Sequence, residues 1–289
     1  MKKKKWTKLE IVVTLILTLI ALVIILPFWS AIVVSFSTNA AYVRQPFSLW
    51  PGEFTLDNYR VIFRQKDGLI TAYVNTIRLA ALGTLASMTT MVMAAYVFSR
   101  EFPGKRFLFL ASIFTMYFSG GLIPMYLLIR NLKLLNCHTT LVLMALASVY
   151  NIIIMKNGFE SVPADLQEAA MIDGANDLII FARVMLPLQK PLIATFSLFT
   201  IVGYWNNWYW PMLILNDKQK ILLQTFLRNI LNAASRVGTE AISEEASLVS
   251  FTMGIQMSSV LVVILPIMLV YPFLQKYFVK GVLVGSVKM

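Results

Sequence analysis

Long apolar stretches alternate with short charged segments along this chain. Six of the apolar stretches contain no aspartate or glutamate, and each has the roughly 20 residues that a helix needs to cross the hydrocarbon core of a bilayer. The pattern therefore predicts an all-α membrane protein with six transmembrane helices. The predicted spans are residues 11–43, 69–99, 107–129, 134–155, 191–216 and 246–275.

A cluster of lysines before the first span predicts the orientation of the chain. Basic residues next to a span favour the cytoplasmic side, so the amino terminus is expected there. Six spans return the carboxyl terminus to the same side. Because the apolar part of the first span is too long for a signal peptide, we interpret it as a retained helix. The cluster comprises Lys2, Lys3, Lys4, Lys5 and Lys8.

The spans and loops predict two domains. Residues 1–68 hold the amino-terminal tail, the first helix and an outer loop. Residues 69–289 hold the other five helices and the longest inner loop, residues 155–191. The second domain is the predicted core of the protein.

Composition supports the membrane assignment and excludes several other classes. Hydrophobic residues make up 58% of the 289 residues and charged residues 13%, against about 25% charged in soluble domains. The net charge of +11 is typical of basic loops that flank membrane spans rather than of nucleic-acid binding. A single cysteine and a single histidine provide neither an internal disulfide nor a metal cluster.

The predicted spans offer no energy source for transport. They contain no carboxylate that would hold a travelling proton or sodium ion, and the chain has no phosphate-binding loop. Arg78 is the only charged residue in a span, where it either snorkels to the interface or lines the mouth of a pathway. The chain is therefore a passive channel or one subunit of a larger machine.

The inner loop 155–191 has the signals of two short helices. Pro163 suits the first turn of a helix, and Gly174 suits the position where that helix stops. Asn176 can cap a second helix that Pro187 ends. We therefore predict a helix–turn–helix on the inner face of the membrane, with a small-residue patch at Ala169 that permits close approach by another protein.

The same loop resembles the EAA loop of ABC importer permeases, E-A-A-x3-G-x9-I-x-L-P. Every fixed position matches except one, where Val184 replaces isoleucine. The resemblance implies the type I ABC importer permease fold, in which this loop inserts a coupling helix into a cytoplasmic ATPase subunit. The residues that it implies for this contact and motif are Glu168, Ala169, Ala170, Asp173, Gly174, Leu186 and Pro187.

Other segments are similar to the carbohydrate branch of that family. Residues 205–207 (WNN) look like the W-N-D/S segment of the carbohydrate type, and residues 277–281 (YFVKG) are similar to the end of the maltose-type inner subunit. Residues 119–124 (SGGLIP) look like the branch that serves complex oligosaccharides. The resemblance implies a bacterial cytoplasmic-membrane subunit for oligosaccharide import. Its implied partners are a second permease, an extracytoplasmic binding protein and an ATPase pair that holds ATP and Mg²⁺. No cofactor in this chain and no nucleic-acid partner are expected.

A polar and aromatic cluster in the fifth span is the candidate substrate pathway. Tyr204, Asn207 and Trp208 have the i, i+3, i+4 spacing of one helical face. Rings cover the C–H faces of a sugar and amides bind its hydroxyls, so this mixture suits a glycan. In the alternatives these residues are interface anchors or join helices, and the partner permease supplies most sugar contacts.

Three further interpretations stay open at this stage. An apolar stripe between residues 217 and 245 predicts a helix that lies on the outer surface or packs on the permease itself. The transported solute is an oligosaccharide or, as the alternative, a peptide or a polyamine. A membrane-embedded enzyme is disfavoured because the spans lack carboxylates and His138 has no second histidine near it.

Overall fold

The computed structural model describes residues 7–64, 66–240 and 253–269, and the regular elements in these residues are helices. One isolated backbone bridge pairs Ser37 with Phe54. The helices are α1 (Lys8–Ser35), α2 (Asn39–Arg44), α3 (Asp57–Phe63), α4 (Lys66–Ser99), α5 (Lys105–Tyr117), α6 (Leu122–Asn131), α7 (His138–Met144), α8 (Val149–Glu160), α9 (Ala164–Ile172), α10 (Asp177–Ile180), α11 (Leu186–Leu188), α12 (Lys190–Asn206), α13 (Tyr209–Ile214), α14 (Leu223–Glu240) and α15 (Met253–Leu269).

Two of these helices are long and apolar enough to cross a membrane. They are α1 and α4, and three bent helix pairs raise the number to five if each pair forms one span. The pairs are α5–α6, bent by 113°, α7–α8, bent by 54°, and the run Asp177–Leu188 with α12, bent by 78°. Of the sixth predicted span, residues 246–275, only α15 lies in the described residues. The number of six spans therefore stays a prediction.

The chain divides into two compact units, of which the first contains the described residues up to Leu69 and from Leu227 to Pro266. Its α1 begins at a capping box in which Thr7 and Glu10 bind each other's backbone N–H groups. This helix of 28 residues is about 42 Å long. Its apolar side chains are exposed along nearly the whole length, and burial begins only at Val33.

The last turn of α1 is held by polar side chains from the same unit. The buried Asn58 amide donates to the carbonyl oxygens of Ser35 and Ser37 at 3.0 and 3.1 Å. The Ser258 hydroxyl of α15 also reaches the Ser35 carbonyl, at 3.3 Å. Carbonyls at a helix end lack helical partners, so these bonds satisfy groups that would otherwise be buried unpaired.

The second unit, residues 70–226 with the end of α15, is organised around α4. Near its start α4 contributes Leu79 and Ala80 to an apolar group that we call the amino-end cluster. Its other buried members are Ile129, Leu141, Tyr204, Ile214, Leu215 and Leu222. Near its end α4 contributes five residues, among them Met91 and Tyr96, to a carboxyl-end cluster. The remaining members are Met88, Val92, Ala95, Ile152, Met155, Phe159, Ile180, Met185 and Phe196.

A sharp bend at Gly120 and Gly121 separates α5 from α6. Gly121 has φ +86°, a conformation that L side chains rarely adopt. The space around its α-carbon is open. The pair therefore serves as a bend between α5 and α6.

The contact between α4 and α12 depends on a glycine. A β-carbon at Gly83 would lie 2.6 Å from Cζ of Tyr204, which is closer than real contacts allow. The Tyr204 hydroxyl then reaches the Ser87 hydroxyl one turn further along α4, at 2.9 Å. The absence of a side chain at residue 83 thus sets the distance between the two helices.

We predict that Gly83→Ala lowers the thermal stability of the purified protein. Overpacking against Tyr204 costs about 1–3 kcal/mol, which corresponds to a midpoint lower by roughly 2–8 °C. Gly203→Ala is the matched control, because a β-carbon there meets nothing within 4 Å, and its midpoint should not fall. Equal midpoints for the two variants in a thermal unfolding assay would contradict the packing argument.

Candidate functional site

The predicted first helix of the 155–191 loop is α9, and its end is a glycine-capped stop. Gly174 has φ +81°. Its N–H donates to the Met171 carbonyl at 3.0 Å, and the Ala175 N–H donates to the Ala170 carbonyl at 2.9 Å. These two bonds form a Schellman motif. Pro163 differs slightly from expectation, since it precedes the helix in an extended conformation instead of lying in its first turn.

The second predicted helix begins as expected and ends later than expected. The Asn176 side chain accepts the Ile179 N–H at 2.9 Å and so caps α10. The prediction that Pro187 ends this helix is wrong. A π-helical turn, Phe181–Met185, leads into α11. Pro187 lies in the first turn of α11, where its missing N–H is not needed, and the helical run continues to Leu188.

Most of the predicted coupling residues are exposed, with two exceptions. Glu168, Ala169, Asp173, Gly174 and Pro187 are exposed. Ala170 and Leu186 are half-buried, because they pack against the carboxyl-end cluster. Since α9 has no buried residue, most of its surface is available to a partner.

Large apolar side chains extend this exposed surface. Ile172 is 86% exposed and Leu178 is 76% exposed, and both flank the Gly174 turn. Leu166 and Met171 on α9 are about half exposed as well. An exposed apolar patch with acidic residues around it is typical of a protein contact.

Two residues that hold α9 and α10 were not predicted from the sequence. They are Tyr96 in α4 and Arg100 in the loop that follows it. The Arg100 guanidinium donates to the Gln167 side-chain oxygen on α9 and to the Tyr96 hydroxyl, the latter at 2.6 Å. The Tyr96 hydroxyl in turn donates to the Asp177 carbonyl at 3.5 Å. The four-residue spacing of Tyr96 and Arg100 was the available signal, but nothing in the sequence linked either residue to Gln167.

The predicted single helical face of Tyr204, Asn207 and Trp208 is wrong. The helix α12 ends at Asn206, Asn207 has an extended backbone, and a new helix starts at Tyr209. Pro211 gives the reason. In a continuous helix its nitrogen would have to donate to the carbonyl of residue 207, and proline has no N–H.

The break does bring Tyr204 and Asn207 to one cavity of about 360 Å³. The other residues of the cavity wall come from α4, from the α7–α8 junction and from α12. Trp208 is not among the lining residues and instead packs edge-on against Tyr209, with the ring centroids 5.6 Å apart. The polar lining comprises Ser148, Asn151, Thr200, Tyr204 and Asn207.

Three of these polar residues, Ser148, Asn151 and Thr200, were missed by sequence reasoning. The Asn151 amide donates to the Met91 sulfur at 3.7 Å. Thr200 lies 3.8 Å from the Met88 sulfur. Thioether sulfur is a weak acceptor, so the amide retains capacity to bind a polar ligand. The residues were missed because each is isolated in an apolar stretch, and only the fold brings them together.

The segment before α14 is tied to α4 by side chains near the start of that helix. Asn75 donates to the carbonyls of Gln219 and Ile221 at 2.8 and 3.2 Å, and the Thr76 hydroxyl accepts the Leu223 N–H at 2.9 Å. The apolar stripe predicted between residues 217 and 245 includes Leu222, Leu223, Phe226, Leu227 and Ile230, which are buried. This part of the stripe therefore packs within the protein.

The described helices and loop belong to a recognised class of membrane protein. The family model for the binding-protein-dependent transport system inner membrane component matches residues 68–284. This chain is therefore a member of that family of transport permeases.

Two relatives whose names are those of carbohydrate permeases are similar to nearly the whole chain. The chain is 40% identical over 273 residues to the polygalacturonan/rhamnogalacturonan transport system permease protein YtcP of Bacillus subtilis, covering 94% of this chain and 95% of that protein. It is 26% identical over 293 residues to the arabinooligosaccharides transport system permease protein AraQ of Halalkalibacterium halodurans, with both chains fully covered.

A solved structure is also similar along most of the chain. It is the crystal structure of a bacterial ABC transporter involved in the import of the acidic polysaccharide alginate. The match has a TM-score of 0.80 and 31% identity, and it covers 96% of this chain and 100% of that chain. Together these similarities confirm the family prediction that was based on the EAA loop.

We predict that Gly174→Ala loosens the end of α9. The added side chain meets nothing within 4 Å, so the cost is the left-handed backbone alone, about 1–2 kcal/mol. Hydrogen–deuterium exchange of peptides covering residues 164–173 should become faster. Gly174→Asn is the control, because asparagine tolerates this conformation better and should exchange more slowly than the alanine variant. Identical exchange for wild type and Gly174→Ala would refute the assignment.

Proposed function

We propose that this chain is the transmembrane permease subunit of an ABC importer that carries an oligosaccharide across the bacterial cytoplasmic membrane. The observation that carries the proposal is α9, a short exposed helix closed by the left-handed Gly174, in a chain of the permease family. The carbohydrate names of the relatives favour a sugar over a peptide or a polyamine.

The proposal includes the partners that such a subunit needs. An ATPase pair on the cytoplasmic side binds ATP and Mg²⁺ and hydrolyses ATP, while this chain carries out no covalent chemistry. A second permease completes the pathway, and an extracytoplasmic binding protein delivers the sugar. Six spans with both termini in the cytoplasm, and a core that begins at residue 69, belong to the same proposal.

The geometry of α9 supports its role as the coupling helix. The alanine pair leaves little side-chain bulk on the exposed helix, so the ATPase can approach its backbone closely. Ile172 and Leu178 provide apolar area beside the turn, and Glu168 and Asp173 provide charge. ATP hydrolysis would then switch the two permeases between inward-open and outward-open states by moving this helix.

The cavity beside Tyr204 supports the substrate pathway. Two amides, three hydroxyls and the Tyr204 ring edge make a surface that can bind sugar hydroxyls and cover sugar C–H groups. No lysine or arginine is among the residues that line this cavity. We therefore propose that the contacts made here are with hydroxyl groups, whether or not the sugar also carries carboxylates. Trp208 does not line this cavity, so a sugar contact of Trp208 would have to lie elsewhere on the pathway.

We predict that Glu168→Lys uncouples the transporter. The reversed charge on the exposed face of α9 should weaken ATPase docking, so uptake and stimulated ATP hydrolysis fall by about tenfold, equivalent to 1.4 kcal/mol. The complex is purified with its binding protein, reconstituted in proteoliposomes, and assayed with labelled trigalacturonate and arabinotriose.

The matched control for Glu168→Lys is Glu101→Lys. It makes the same reversal at Glu101 on the loop after α4, whose side chain is 91% exposed and pairs with Lys105 at 2.7 Å. Lys105 keeps Glu160 as a second acidic neighbour at 4.0 Å, so the loss of the Glu101 pair should have a small energetic effect. Its uptake should be normal. Normal uptake and hydrolysis in Glu168→Lys would rule out the coupling role of α9.

For the cavity, we predict that Asn151→Leu and Asn207→Leu each reduce uptake about tenfold, because one hydrogen bond to the sugar is lost and volume is filled. Amounts of assembled complex should stay unchanged. Asn157→Leu is the control, since Asn157 is exposed on the same helix as Asn151. If the cavity variants and the control transport equally well, the cavity is not on the pathway. If the cavity variants lose assembly in proportion to uptake, these residues serve packing.

A further inference from the structure

Polar contacts of Arg100 and Tyr96 connect the carboxyl end of α4 to both helices of the EAA loop, and we call these contacts the polar joint. Two different nitrogens of the Arg100 guanidinium are engaged, one by the Gln167 side-chain oxygen and the other by the Tyr96 hydroxyl. The guanidinium carbon also lies 4.9 Å from the centroid of the Tyr96 ring. The planar, rigid guanidinium therefore fixes Gln167 relative to Tyr96 in direction as well as in distance.

The joint is partly removed from water, which strengthens it. Tyr96 is 9% exposed and Arg100 is half-buried. The Arg100 Nε is buried and has no hydrogen-bond partner among the described residues. A hydrogen bond from a charged donor is stronger than one between neutral groups, and a loss of the Gln167 acceptor would leave this charge less satisfied.

Tyr96 extends the same joint to the second helix of the loop. Its ring lies 5.7 Å from the Phe159 ring of α8 and 4.7 Å from the Phe181 ring of the π-helical turn, centroid to centroid. Its hydroxyl reaches the Asp177 carbonyl in α10. Aromatic packing of the π-helical turn and the buried Ile180 thus hold the second helix to α4. The helix α9 has no buried residue, and it is held by the Arg100–Gln167 bond together with the half-buried Ala170.

The rest of α4 reaches the remaining functional regions. Met91 lines the cavity, Ser87 binds Tyr204, and Asn75 holds the segment before α14. The helix has 34 residues without a proline, so nothing in its sequence forces a kink. One continuous helix therefore contacts the loop that meets the ATPase, the cavity, and the segment at its opposite end.

We propose that Arg100 and Gln167 form the mechanical link through which displacement of α9 is passed to α4. Arg100 is a positioning residue, because it acts through Gln167 and touches neither the sugar nor ATP. The inference rests on the proposed function of α9 as the coupling helix, since Gln167 directly precedes Glu168 in that helix. Without the link the ATPase still docks and hydrolyses ATP, but the movement of α9 no longer displaces α4.

The test measures labelled oligosaccharide taken up per ATP hydrolysed in proteoliposomes, with trigalacturonate and arabinotriose as probes. Gln167→Leu removes the acceptor at a half-buried surface position, and Arg100→Met removes the donor. Each should lower uptake per ATP by at least about threefold, while the ATPase copurifies normally. Gln167→Glu keeps an acceptor for the guanidinium and should retain coupling. Arg106→Met, a loss of an exposed arginine from the neighbouring helix α5, is the matched control and should be normal.

A double variant separates a direct link from two unrelated effects. If Arg100 and Gln167 act on each other, the variant with both Arg100→Met and Gln167→Leu is no worse than the more damaging single one. Additive losses would overturn the proposal, and so would normal coupling in Gln167→Leu or equal damage from Gln167→Glu and Gln167→Leu. If Arg100→Met does not assemble, the two Gln167 variants decide alone.

Failure of the link differs from failure of the underlying function. Normal transport in Glu168→Lys would remove the coupling role of α9 altogether. Impaired transport in Glu168→Lys together with normal uptake per ATP in Gln167→Leu would remove only the Arg100–Gln167 link.

Discussion

The hydrocarbon core of the membrane provides no water to bind free backbone groups, and this constraint governs the whole fold. Helices satisfy their own N–H and carbonyl groups, and irregular backbone is tolerated only where protein or a polar cavity surrounds it. Two of the breaks in this chain follow that rule. The α7–α8 junction and the end of α12 both border one cavity, and Ser87 donates to the Ala145 carbonyl that the first break leaves open, at 3.0 Å. The site is therefore a consequence of where helices are allowed to stop.

Short-range signals allowed the sequence to predict much of the fold. Gly174 defines the turn of the EAA loop through its backbone conformation, and Asn176 does so through its side-chain hydrogen bond. Their roles could therefore be predicted from the local sequence alone. The first helix was predictable from apolar length alone. For the turn the physical cause lies within four residues, and for the first helix it lies within the helix itself.

Features that depend on residues far apart in the chain could not be predicted from the sequence. Arg100 and Gln167 are 67 residues apart in the chain, and no pattern in either segment points to the other. Asn151 and Asn207 line one cavity because the α7–α8 junction and the end of α12 both border it. The wrong helical face at Tyr204 had a local cause that was overlooked, since Pro211 forbids the hydrogen bond that a continuous helix needs there.

The uncharged lining of the cavity has a kinetic consequence for an importer. Hydrogen bonds between neutral groups exchange with water at a net gain of only about 0.5–1.5 kcal/mol each, so in the proposed pathway five polar side chains would hold a sugar only briefly. A short residence time lets each molecule leave before the next cycle and keeps the dissociation step from limiting turnover. In the proposed importer, discrimination among sugars would then fall to the binding protein, and one permease would serve several chain lengths.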